Sequence, residues 1–118
     1  MASNEALVRA LWLAHREGRI DEMLDLLHPA IVWHPLSRPG LSVYAGHDGV
    51  RQMIEDMRLF VGDYVLDIDT YTEVGEDQVV VRGRVVPSAG DPLSIEMELT
   101  FADGLIQHVV TRRPTEAA

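Results

Sequence analysis

The chain has 118 residues, no cysteine and a formal net charge of −9. One domain's worth of residues can bury enough surface to fold without a metal or disulfide staple, so residues 1–118 are read as a single domain. The missing cysteine excludes thiol catalysis and thiolate metal sites, and the acidic balance argues against nucleic acid and membrane surfaces as partners. All ten basic residues are arginines, which excludes Schiff-base chemistry and any phosphate loop that needs a lysine. No apolar run approaches the ~20 residues of a membrane span, and the expected location is cytoplasmic.

Ser3 or Asn4 can cap a first helix that runs to about Arg16 and stops at Gly18. Leu7, Leu11 and Ala14 form one stripe on it, widened by Val8, Trp12 and His15. Asp21 can cap a short second helix with Met23, Leu24 and Leu27 inward, ended by His28-Pro29. Ala30 to His34 reads as a strand, and Pro35 to Ala45 as a loop carrying Pro39-Gly40 and Tyr44. Asp48 is the expected cap of a third helix, whose Val50, Met53, Ile54, Met57 and Val61 recur at helical spacing up to Gly62.

Beyond Gly62 the pattern changes to strand and turn. Tyr64 to Glu73 alternates, Gly75-Glu76-Asp77 turns, and Gln78 to Val86 is apolar on both faces. Leu93 to Phe101 alternates cleanly, with Glu96 and Glu98 expected on a solvated face. Asp103-Gly104 is a tight hairpin signal before a last strand, Leu105 to Arg112. Asp67 and Asp69 oppose Arg82 and Arg84 as cross-strand ion pairs. Three early helices and four hairpin-linked strands give an α+β domain, helices on one face of an antiparallel sheet. The two-sided strand needs cover on its second face, which a homodimer would supply.

Trp33-His34-Pro35 places an ionisable ring at the end of a short apolar strand, before a proline that stops regular pairing. A single acid or base is useful at such a strand mouth, and His34 is the candidate catalytic residue. Trp33 points to the opposite face of the strand. Trp12, Tyr44, Met57, Met97 and Val109 are the candidate substrate-binding residues. His15, His28 and His108 are scattered without metal-ligand spacing, so neither a metal nor another cofactor is expected.

The order of elements, with Trp33-His34-Pro35, Gly46-His47-Asp48-Gly49-Val50-Arg51 and Asp103-Gly104-Leu105-Ile106, resembles the SnoaL-like and ketosteroid-isomerase-like families of the nuclear transport factor 2-like superfamily. The likeness spans about Ala6 to Arg112. It implies helices wrapping a curved antiparallel sheet into a cone with an internal pocket, and a dimer in many members. It also implies a general base immediately before a proline, which is His34 here. The isomerases' helix tyrosine and strand acid correspond to Leu11 and Met97, and neither donates a hydrogen bond. An epoxide-hydrolase Arg-x-Asp pair is matched only by Arg82-Gly83-Arg84, and the last strand reads Val109-Val110-Thr111 where members carry an aspartate.

Two functions follow from these residues. The first is a cofactor-independent enzyme in which His34 moves a proton on a small apolar or aromatic molecule, as an isomerase, cyclase, hydrolase or lyase. The second is a non-catalytic binding module, or a dimerisation scaffold of the same fold.

Overall fold

The computed structural model describes residues 3–35 and 43–114. Most of the expected Pro35–Ala45 loop, including Pro39-Gly40, lies outside the described residues. Helix α1 spans Asn4–Arg16, and the Ser3 hydroxyl accepts a hydrogen bond from the Ala6 amide at 3.1 Å as its N-cap. Helix α2 (Ile20–Asp25) begins just ahead of Asp21, with Arg19 in the cap position. Helix α3 (Gly46–Val61) starts two residues before Asp48. It ends at Gly62, whose φ of 72° is a left-handed conformation that glycine adopts without cost.

The strands are β1 (Leu27–His34), β2 (Tyr44–Ala45), β3 (Tyr64–Val74), β4 (Gln78–Pro87), β5 (Leu93–Ala102) and β6 (Leu105–Arg112). They form one sheet in the order β2-β1-β6-β5-β4-β3. Asp103 and Gly104 both carry positive φ, 55° and 76°, the type I′ geometry that joins β5 to β6 tightly. Strand β1 begins three residues earlier than its sequence suggests, passing through His28-Pro29. The pairing of β1 with β6 shifts register between Leu27 and Val32, so the missing Pro29 amide falls where the ladder is already broken.

The expectation of an antiparallel sheet is corrected in one place: β1 and β6 run parallel. Tight turns dictate direction only for strands adjacent in sequence, and these two are separated by β2, α3 and three further strands. The result is a curved, unclosed mixed sheet with the helices packed against it. Register shifts at Leu27/Val32, Ile68/Thr70 and Thr100/Phe101 are the local kinks that bend it.

The two faces of the sheet differ in chemistry. Val79, Val81, Met97, Leu99, Val109 and Trp33 point toward the helices and pack with Val8, Leu11 and Trp12 of α1. Gln78, Arg82, Glu96, Glu98, His108 and His34 alternate onto the opposite face. Glu96 is not solvated as its pattern suggests: it is 3 % exposed, gripped by Arg82 and Arg112 at 2.7 Å each. Burial alone would raise its carboxyl, but the two guanidinium hydrogen bonds outweigh that and hold it below the usual carboxylate range.

Candidate functional site

The expected strand-mouth acid or base is displaced by the alternation of β1. Trp33 pairs in register with Val109 and stands edge-on to Trp12, ring centroids 6.1 Å apart, so it occupies the helix side. His34, the next residue, therefore lies on the helix-free face, where its Nε2 sits 3.1 Å from Nε2 of His108. The resemblance implies a general base and an internal pocket, and His34 lies instead on the face away from the helices. A one-residue step along a strand reverses the face, and the indole took the inner position.

A cleft of about 110 Å³ opens on the helix side, between α1, the end of α3 and the start of β3. Its walls are Trp12, His15, Arg16, Arg58, Asp63 and Tyr64, with Gly18, Val65 and Leu66 between them. Helix α1 presents Trp12 and His15 one turn apart on the stripe that faces the sheet, which is why both reach this cleft. Gly62 turns the chain out of α3 and delivers Tyr64 as the first residue of β3. Tyr64 then meets His15 across 49 residues of sequence, hydroxyl to Nε2 at 3.0 Å.

Electrostatics favour the neutral form of both partners. Burial, assisted by the Arg58 charge, holds the His15 imidazole below its usual range. Burial also raises the Tyr64 phenol, although Arg58 pulls the other way. A neutral imidazole and a neutral phenol can share their hydrogen in two ways. With Nε2 bare, Tyr64 donates to it, and its oxygen can take a proton from a ligand as the phenol proton passes to Nε2. With Nε2 protonated, the ring donates to Tyr64 and the phenol hydrogen is free to reach a carbonyl. Trp12 adds a third group: its Nε1–H is buried and has no hydrogen-bond partner among the described residues.

Of the expected substrate-binding residues, only Trp12 borders this cleft. Tyr44 neighbours Trp33 across β2 and donates its hydroxyl to Asp56 at 2.6 Å, a bond that raises its phenol above the usual range. Met97 and Val109 are packed in the core, and Met57 is half-buried on α3. His15 had a visible signal in the sequence, a histidine on an otherwise apolar helix stripe. Tyr64 had none, because nothing local to it announces a partner so far away. Among the described residues, no group of three or more histidine, aspartate or glutamate side chains is arranged to hold a metal. Among the described residues, no helix is long and apolar enough to cross a membrane.

Helices on one face of a curved mixed sheet, with a cleft at their edge, define the cystatin-like, nuclear transport factor 2-like class of fold. Within that class the chain belongs to the SnoaL-like domain family, whose model matches residues 6–109. No curated protein matches it in sequence. TerC, solved with polyporic acid, is 26% identical over 89% of this chain and 86% of its own, with a TM-score of 0.75. An NTF2-like protein of unknown function from Burkholderia pseudomallei K96243 is 26% identical over 97% and 92%, with a TM-score of 0.81. A Kribbella flavida DSM 17836 protein with a provisional ketosteroid isomerase assignment is 17% identical over 97% and 79%, with a TM-score of 0.79, and shares the fold.

Proposed function

We propose that this SnoaL-like domain is a cofactor-independent enzyme that moves a proton on a small, largely apolar carbonyl compound. The His15–Tyr64 pair performs the transfer in the helix-side cleft. The single observation that carries this reading is that pair, at 3.0 Å, facing a cleft that also holds an unpartnered indole N–H. The reading replaces His34 by His15 as the proton-transfer group, because only His15 borders the cleft. Isomerisation, aldol-type cyclisation and dehydration all contain such a step.

The cleft is smaller than the ~300–1,000 Å³ that encloses a whole drug-sized molecule. It suits one ring or one carbonyl-bearing edge of a ligand, with the remainder across the mouth. The polyporic acid co-crystallised with TerC supports a small organic ligand in this fold. Arg16 and Arg58 outnumber Asp63 on the walls, which favours a ligand that gains negative charge on oxygen as the proton leaves.

The test is deuterium uptake at the α-carbon of an aryl ketone in D₂O, followed by proton NMR. The wild-type chain should accelerate uptake, and His15→Phe and Tyr64→Phe should each lower the rate by about 10²-fold or more. Equal rates in wild type and both variants would overturn the proposal. Saturable binding of the ketone without any uptake would instead support the binding module.

A further inference from the structure

The histidine pair left outside that cleft has a geometry of its own. His34 and His108 come from adjacent parallel strands, on the face that the helices leave uncovered. Their Nε2 atoms are 3.1 Å apart, their ring centroids 4.9 Å apart, and the rings are inclined at 68°. The register is fixed by Val32 opposite His108 and His34 opposite Val110, so the two rings are diagonal neighbours on a stiff backbone.

We propose that His34 and His108 form a two-imidazole site for a divalent transition-metal ion such as zinc. An ion about 2.05 Å from each Nε2, with each ring nitrogen about 1.15 Å from its centroid and an N–metal–N angle of about 100°, puts the nitrogens about 3.1 Å and the centroids about 4.9 Å apart. Both separations match those in the structure. A collinear N–H···N hydrogen bond at the same nitrogen separation would hold the centroids about 5.4 Å apart, so the two rings depart from that arrangement by an amount a shared ion accommodates.

The donor set names the class of ion. Two imidazoles without thiolate suit zinc, nickel or copper and offer nothing to magnesium or calcium, which need oxygen ligands. Glu98, on the same face, is already held by Gln78 and Arg112, at 2.8 and 3.2 Å. With no third protein ligand among the described residues, the remaining coordination positions are open to water or to a ligand oxygen.

Zinc titrated calorimetrically into the full, untagged chain should bind one ion per chain. His34→Ala and His108→Ala should each weaken that binding by about tenfold or more. His28→Ala and His47→Ala should leave it unchanged, with circular dichroism confirming that every variant folds. A second measurement needs no variant: in the wild-type chain, sub-stoichiometric nickel should broaden the ring-proton signals of His34 and His108 before those of His15, His28 and His47. Absence of saturable zinc binding, binding that survives both substitutions, or broadening that begins at another histidine would each overturn the assignment.

Discussion

Trp12→Phe should leave the protein as stable as wild type or more so, although it truncates a residue only 6 % exposed. Two terms compete. Removing the indole N–H abolishes a buried donor without a partner, and such a group costs about 1–3 kcal/mol. Exchanging indole for phenyl opens roughly 40 Å³, which at about 24 cal/mol per Å³ costs about 1 kcal/mol. The phenyl ring can keep an edge-to-face contact with Trp33, so little is lost there. The net expectation runs from about zero to about 2 kcal/mol of stabilisation. For 118 residues each kcal/mol moves the melting temperature by about 4 °C, so the rise should lie between zero and about 8 °C. Urea unfolding measures the free-energy difference and thermal unfolding the temperature shift, both read by far-UV circular dichroism. A loss greater than about 2 kcal/mol would refute the reasoning, because it would mean that the N–H is satisfied in solution. Under the proposed function the same variant should bind carbonyl ligands more weakly, so stability and affinity should move in opposite directions.

Gly83→Ala should be strongly destabilising, by about 3 kcal/mol or more in urea unfolding, because its added Cβ would lie 2.2 Å from the Asp67 carbonyl oxygen and 2.7 Å from the Ile68 Cα. Both are backbone atoms of β3 beside its register shift, and wild-type stability in this variant would contradict the close approach of β3 to β4. His15, held low by burial and Arg58, takes up its proton less readily in the folded chain than in the unfolded one. Its contribution to stability is therefore complete above the unfolded value of 6.5 and declines as pH falls below it. The urea midpoint of wild type should drop more between pH 7.5 and 5.5 than that of His15→Leu, and parallel profiles would count against the burial of this ring. Glu96, held low by Arg82 and Arg112, gives a second acid loss below about 4.5, which Glu96→Gln should remove from the midpoint-versus-pH curve.

Local signals carried the elements well and their assembly only in part. The spacing of Val50, Met53 and Ile54 marked the buried face of α3, and Asp103-Gly104 marked the β5–β6 turn, because helix period and turn chemistry are decided within a few residues. Ser3 was legible as a cap for the same reason. Short-range chemistry says nothing about the direction of β1 against β6, which depends on the path of the intervening chain. The burial of Glu96 escaped the alternation of β5 because a pattern of polar residues cannot reveal that Arg82 and Arg112 will converge on one of them from both neighbouring strands.

The face on which His34 lies was hidden for the same reason, and the physical cause is narrow. Trp33 and His34 are consecutive, so one must face the helices and the other must not. A large ring gains far more from burial than an imidazole does, and α1 offers Trp12 as an edge-on partner, so the indole takes the inner face. That choice sends His34 to the side where His108 already stands, and leaves the inner side without a strand-borne base. The histidine on that side comes from the helix: His15 lies one turn beyond Trp12, and Tyr64 closes on it from the opposite edge of the sheet. The packing of one indole thus separates two imidazole pairings. One is buried against a phenol beside a cleft, where a neutral base is useful. The other lies on the helix-free face with its Nε2 atoms 3.1 Å apart, the pair proposed to hold a metal ion.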